Sequence, residues 1–326
     1  MKEKITPCLW FNGQAKEAAT LYCSVFENAK ITAQSPIVTA INVSGQNFTL
    51  LDGGPMYKPT PAISFYYICE KIEELDRIWN AFSKEGNVMM ALDKYPWAEK
   101  YGWITDKFGI SWQLALGKIS DVGQKITPCM LFAGKQYGRV DDAIAFYSSI
   151  FKNTEIDGIL RYGANELPDQ EGKVKHAQIN LNGEKLMLME SAAPHNFTFT
   201  EGVSLTIHCE TQQEIDHYWG KLTQNGEESM CGWLKDKYGV SWQIIPTILN
   251  KIMSDPAKAG KAAQAFMAMR KLILSRSCRL LLPDIDNTLC CPGLFTNIAG
   301  NKKLKARIKR AFKNNSNDRF IQDHFH

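Results

Sequence analysis

DKFGISWQLAL, residues 106–116, returns as DKYGVSWQIIP at residues 236–246. Six of the first eight letters are identical, and the substitutions, Phe108 for Tyr238 and Ile110 for Val240, conserve shape. A phrase carried twice points to a repeated unit, and a missed repeat misassigns a whole fold. Working outward, KITPCLWFNG (4–13) answers to KITPCMLFAG (125–134), and AATLYCSVFENAKI (18–31) to AIAFYSSIFKNTEI (143–156). VSGQNFTLLD (43–52) matches LNGEKLMLME (181–190), and AISFYYICEKIEELDRIW (62–79) matches VSLTIHCETQQEIDHYW (203–219). The order is preserved throughout, so the chain is a tandem duplication of a domain too long to be a solenoid unit. The expected division is domain 1 over 1–120, domain 2 over 121–271 with a C-terminal helix, and a basic tail over 272–326.

Within a copy, ITPCLWF alternates like a strand, and GQAKEAATLYCSVFE carries a helical stripe. NVSGQNFTLLDGGP reads as two short strands around a Ser-Gly turn, stopped by Gly-Gly-Pro. PAISFYYICE then restarts a strand, EKIEELDRIWNAFSKEG forms a second amphipathic helix, and ISWQLAL closes with a strand. Each copy is therefore two βαβββ-like modules, four in the chain. This is an α+β protein.

The 326 residues are 44% apolar and 22% charged, a globular composition. Neither a signal-peptide h-region nor a bilayer-length apolar run is present, so a cytoplasmic protein with no membrane partner is expected. The nine cysteines include no CxxC pair and are expected to be reduced thiols. The six histidines form no HxH or HExxH. Residues 275–326 hold ten Lys or Arg against four Asp or Glu, while the whole chain is only +4, so the body before them is slightly acidic. That argues against a nucleic-acid partner for the body. The tail matches neither repeat and reads as a frame-shifted or accidental extension, with a nucleic-acid- or membrane-binding basic peptide as the alternative.

The letters FNGQAKEAATLY, SFYYICE and WITDKFGISWQ, with CGWLKDKYGVSWQIIP (231–246) after EIDHYW (214–219), resemble the vicinal oxygen chelate, or glyoxalase-like, superfamily. Within it the chain is similar to the PhnB-like family labelled "3-demethylubiquinone-9 3-methyltransferase". The resemblance implies two tandem glyoxalase-like domains, with modules forming curved mixed sheets, helices outside and a ligand or metal in the concavity. It also suggests an intramolecular pseudo-dimer of domain 1 with domain 2, with a further homodimer as an extension of it.

Strand alternation sends Trp112 and Leu114 toward the helices and Ser111 and Gln113 into the concavity, with Ser241 and Gln243 following in copy two. Ser64, Tyr66 and Ile68, and Ser204, Thr206 and His208, form the corresponding sets of the preceding strands; Cys69 and Cys209 fall on the helix side. Superfamily metal positions carry over to Pro7, Ser64 and Gln113 in copy one and to Pro128, Ser204 and Gln243 in copy two. Proline has no ligating side chain and serine is a poor ligand, so no metal or other cofactor is expected at these positions. A divalent metal on His176, His208 and Glu190 in the cavity of copy two is the alternative.

The expected ligand-binding residues are Gln113, Gln243, Ser64, Tyr66, Ser204, Thr206 and His208, with Trp103 and Trp233 at a rim or in the core. Each glutamine either contacts ligand or is satisfied by a neighbouring strand. Asp52 and Glu190, at matching strand ends, are candidate bases or else caps. Copy one has a longer link over a possible cavity mouth, with Tyr95, Trp97 and Tyr101, while copy two carries RYGANELPDQEGK (161–173). The expected function is small-molecule binding without metal. Alternatives are a metal-dependent lyase, isomerase, dioxygenase or resistance enzyme of the same superfamily, or a methyltransferase, which no Gly-rich strand-to-helix turn supports.

Overall fold

A computed structural model describes residues 5–253 and 255–274. The expected frame-shifted tail beyond residue 274 lies outside them. Copy one opens with β1 (Ile5–Phe11), α1 (Ala15–Val25), β2 (Ala29–Gln34), β3 (Val38–Val43) and β4 (Gln46–Asp52). Its second module is β5 (Ile63–Cys69), α2 (Ile72–Phe82), β6 (Asn87–Tyr95), β7 (Ala98–Thr105) and β8 (Ser111–Leu116). After the short α3 (Ile119–Val122), copy two repeats the plan with β9 (Ile126–Ala133), α4 (Val140–Ile150), β10 (Glu155–Arg161), β11 (Val174–Leu181) and β12 (Glu184–Ser191). There follow β13 (Val203–Cys209), α5 (Gln212–Leu222), β14 (Glu227–Glu228), β15 (Trp233–Lys235), β16 (Ser241–Pro246), α6 (Ile248–Met253) and α7 (Pro256–Met267). The Ser44-Gly45 turn and its counterpart Asn182-Gly183 both hold positive φ at each residue, the backbone that a tight two-residue hairpin requires.

The strands form two eight-stranded sheets, and neither sheet coincides with a repeat. The first runs β14-β15-β16-β13-β1-β4-β3-β2, joining the first module of copy one to the second module of copy two. The second runs β10-β11-β12-β9-β5-β8-β7-β6, joining the complementary halves. Both sheets are seamed by antiparallel pairs between copies, β1 with β13 and β5 with β9. The two copies thus pair within one chain as an intramolecular pseudo-dimer.

The core follows the opposite rule, because each copy packs its own modules helix face to helix face. In copy one, Tyr22, Phe26, Phe65, Phe82 and Trp112 lie ring against ring, with Trp112 1% exposed. In copy two, Tyr147, Phe151 and Tyr218 do the same around Trp242. A large aromatic removes about 150–250 Å² from water, roughly 4–6 kcal/mol at about 25 cal/mol/Å² before ordering costs. Cys69 and Cys209 belong to this core, on the helix side as the alternation predicts.

The repeated phrase is the hub of each core. Asp106 Oδ1 accepts the backbone N–H of Phe108 (2.9 Å) and Ile110 (3.0 Å). Its Oδ2 accepts the Tyr22 hydroxyl (2.7 Å) and the Trp112 indole N–H (3.0 Å). Asp236 repeats all four with Tyr238, Val240, Tyr147 (2.8 Å) and Trp242 (2.9 Å). One carboxylate therefore closes the loop before the last strand and ties that strand to the helix of the other module. Gly109 and Gly239 supply the left-handed residue that the loop needs.

The C-terminal segment belongs to the body further than expected. Ile252, Ala262, Phe266 and Leu272 form a small core of their own against Ile245. Leu272 is buried and the Leu274 N–H donates to Gln212 Oε1 (2.8 Å), so residues 272–274 pack with copy two rather than with a tail.

Candidate functional site

The face of each sheet away from the helices forms a cup, and its floor comes from both copies. In the first cup, Cys8 of β1 lies opposite Ser204 of β13, which lies opposite Ser241 of β16, with Gln243 two residues along. In the second cup, Cys129, Ser64, Ser111 and Gln113 stand in the same order on β9, β5 and β8. Gln113 Nε2 donates to Ser64 Oγ (2.7 Å), and Gln243 Nε2 donates to Ser204 Oγ (2.9 Å). Both glutamines are therefore satisfied in part by the neighbouring strand, as one of the two expected readings has it.

Two expectations about the floor are corrected. Pro7 and Pro128 do not face the cups: strand alternation puts their neighbours Cys8 and Cys129 there, each within hydrogen-bonding reach of a Ser–Gln pair. The grouping by copy also fails, since Ser64 and Gln113 share a cup with copy two's first strand and Ser204 and Gln243 with copy one's. Burial pushes the Cys8 thiol up to about 11 and that of Cys129 up to about 12, with Ser and Gln bonds pulling the other way. Both thiols stay protonated at neutral pH, so neither is a ready nucleophile or thiolate ligand.

The alternative metal set is likewise not assembled. His176 lies on β11 of the second sheet and His208 on β13 of the first, so they face different cups. Glu190 sits on the helix side of β12, where Oε1 accepts the Val174 N–H (2.6 Å). Burial lowers both histidines, leaving neutral rings, and His208 Nε2 meets Thr6 Oγ1 (3.2 Å). Among the described residues no group of three His, Cys, Asp or Glu is placed to hold an ion. Asp52 is also on the helix side, where Oδ1 accepts the Ala15 N–H (2.9 Å) at the start of α1. Neither candidate base reaches a cup.

Around these matching floors the cups differ. In the second, the Tyr101 hydroxyl donates to Gln113 Oε1 (2.8 Å) and the Trp103 indole N–H donates to Ser111 Oγ (2.7 Å). Tyr66 stacks on Tyr101 (6.5 Å), and Tyr95 and Trp97 meet its outer side at 5.7 and 5.9 Å. Trp103 is therefore a buried wall and not an open rim. In the first cup Trp233 leans edge-on against Trp10 (5.9 Å), whose other neighbour is Tyr57 (4.9 Å). Trp10 donates to the Gly54 carbonyl (2.7 Å) and lies so close over Gly53 that any Cβ there would enter the indole. Ser241 Oγ is buried and has no hydrogen-bond partner. Thr206 is buried beside Gln243 on the same floor.

Two strong signals escaped sequence reasoning. Asp106 and Asp236 were part of the repeated phrase, yet only the fold reveals their four bonds apiece. Cys8 and Cys129 follow proline in a matching TPC triplet, and counting the alternation from Leu9 and Phe11 as core would have placed them.

The cross-repeat cups define the class. Glyoxalase I from Zea mays, 11% identical, matches 77% of this chain and 97% of its own with a TM-score of 0.51, which shows a shared two-domain glyoxalase-like fold. The family described as 3-demethylubiquinone-9 3-methyltransferase matches residues 3–115 and again 124–245, and the chain belongs to this PhnB-like family in its tandem form. A protein from Bacillus cereus titled a putative 3-demethylubiquinone-9 3-methyltransferase, PhnB protein, is 33% identical over 35% of this chain and all of its own, with a TM-score of 0.34. PA1353 from Pseudomonas aeruginosa is 24% identical over 35% of this chain and 98% of its own, with a TM-score of 0.32. No curated protein matches the chain.

Proposed function

We propose that this protein binds a small uncharged molecule in a sheet cup, without a metal ion. The observation that carries the reading is the floor itself, a buried thiol, two hydroxyls and an amide from two different copies. Such groups suit hydrogen bonding to a neutral ligand. They do not suit a divalent cation, which needs imidazole, carboxylate or thiolate donors converging on one point. Walls of tryptophan and tyrosine favour a flat or apolar ligand body.

The metal-dependent enzyme reading would need donors other than those in the cups. Metal analysis of purified protein after dialysis decides between the two. Less than about a tenth of an equivalent of Ni, Zn, Mn or Fe is expected, and a stoichiometric ion that resists dialysis would end the metal-free reading.

The methyltransferase in the family's description is not taken over here. The Gly53-Gly54 turn, the nearest candidate for a cofactor loop, is filled by the Trp10 indole and runs into Pro55. Titration with S-adenosylmethionine at high micromolar concentration is expected to give no heat; a saturable signal would restore that activity. No described helix is long and apolar enough to cross a membrane. Nine cysteines without a CxxC pair support a reducing, cytoplasmic setting.

A further inference from the structure

We propose that only the first cup, built on β1, β13 and β16, takes a ligand, and that the second is closed by the chain's own Tyr101. This rests on the binding reading above and adds to it which cup operates and what chemistry it selects.

The floors are equivalent, so the difference lies in what meets them. In the second cup the carbonyl of Gln113 receives the Tyr101 hydroxyl and the hydroxyl of Ser111 receives the Trp103 indole. Those are the places where a ligand's polar groups would otherwise bond. In the first cup the residue aligned with Tyr101 is Cys231, at φ +60°, whose N–H donates to the Met269 carbonyl (2.6 Å). The segment after α7 packs there on Ile245 through Met269 and Leu272, and none of its described residues puts a hydroxyl on the Gln243 carbonyl as Tyr101 does on Gln113. Strand β15 is cut to Trp233–Lys235, and Trp233 packs on Trp10. Ser241 is left buried without a partner, a cost that a bound hydrogen-bonding group would relieve.

The converse occurs once. Thr127 in the second cup has a buried hydroxyl without a partner, where its counterpart Thr6 meets His208. Its cross-strand neighbour is Tyr66, itself stacked on Tyr101, so this orphan lies under the closing aromatics.

The first cup offers an amide carbonyl, a free hydroxyl and indole edges, with neutral groups on its floor. The matching ligand is flat and uncharged, with a hydrogen-bond donor and an acceptor close together, as in an aromatic carboxamide. Benzamide is the probe, and the indole N–H signals of ¹⁵N-labelled full-length protein are the readout. In the wild type, the Trp10 and Trp233 signals should move with benzamide and that of Trp103 should not. Gln243→Met should weaken the Trp10 and Trp233 response at least tenfold. Tyr101→Ala should bring Trp103 into the response; if that variant does not fold, Gln243→Met decides alone. Movement of Trp103 equal to that of Trp233 in the wild type, or an unchanged response in Gln243→Met, overturns the asymmetry and leaves the binding reading standing. If no indole responds in any chain, both fall.

Discussion

Around Asp106 and Asp236 the two copies make the same four hydrogen bonds to the same kinds of partner, within about a tenth of an ångström. On the other face of the strands that follow, Gln113 is met by a tyrosine and Gln243 is not. The contrast teaches that a duplicated strand can hold one face constant while the other diverges. Side chains alternate across the sheet, so a change toward the cup leaves the core packing intact. The core also lies within a copy, whereas each cup lies between copies, so the two faces answer to different neighbours.

The largest expected effect tests the constant face. Asp106→Ala and Asp236→Ala each strand a tyrosine hydroxyl, an indole N–H and two backbone N–H groups in the core, and each should destabilise by about 3 kcal/mol or more. Urea unfolding of both should give values within about 1 kcal/mol of each other if the copies are energetically alike; a much smaller loss at one would break the equivalence.

Next is the pH dependence of the same hub. Burial raises Asp106 to about 6, against the four hydrogen bonds that lower it, and Asp236 is raised for the same reason. In the window between the ordinary carboxylate value and about 6, the folded chain holds a proton that the unfolded chain has released. The carboxyl's contribution to stability therefore falls as pH rises through that window. The cost of Asp106→Asn, whose side chain does not titrate, should be larger near the acid end of the window than at pH ~8. An equal cost at both ends would show that the proton is not retained.

A smaller effect separates the cups. Tyr101→Phe removes the bond to Gln113 and should cost about 1 kcal/mol, while Cys231→Ala should stay within about 0.5 kcal/mol of wild type. Equal losses in thermal unfolding would contradict the difference between the cups. Smallest, Asp52→Ala should cost about 1 kcal/mol or less through the lost bond to the first turn of α1 and should leave benzamide binding unchanged. Weakened binding in that variant would reinstate Asp52 as part of a site.

Much of this could be read in the letters. The duplication, the four modules, the α+β class and the two faces of β8 and β16 follow from repetition and from period-2 alternation, which are properties of the chain itself. Gln113, Gln243, Ser64, Ser204, Tyr66 and His208 all stand on the cup faces to which alternation assigned them. The aromatic insertion and the 161–173 loop read as features of separate cavities, yet both attach to the second sheet. Pro7 and Pro128 were carried over from the superfamily's metal positions although alternation turns them away from the cups, whereas the His176–His208 pair was misassigned for a reason akin to that of the insertion. Alternation says that residues share a face of one strand, not which strands lie side by side.

By itself the sequence determined that the chain folds twice in the same way, because local propensity and core patterning are written into each copy. Only the tertiary structure decided that β1 pairs with β13 and β5 with β9 across the copies, and so which residues meet in a cup. That choice depends on backbone edges finding partners far along the chain, and the hydrogen bonds of a strand edge carry no mark of sequence.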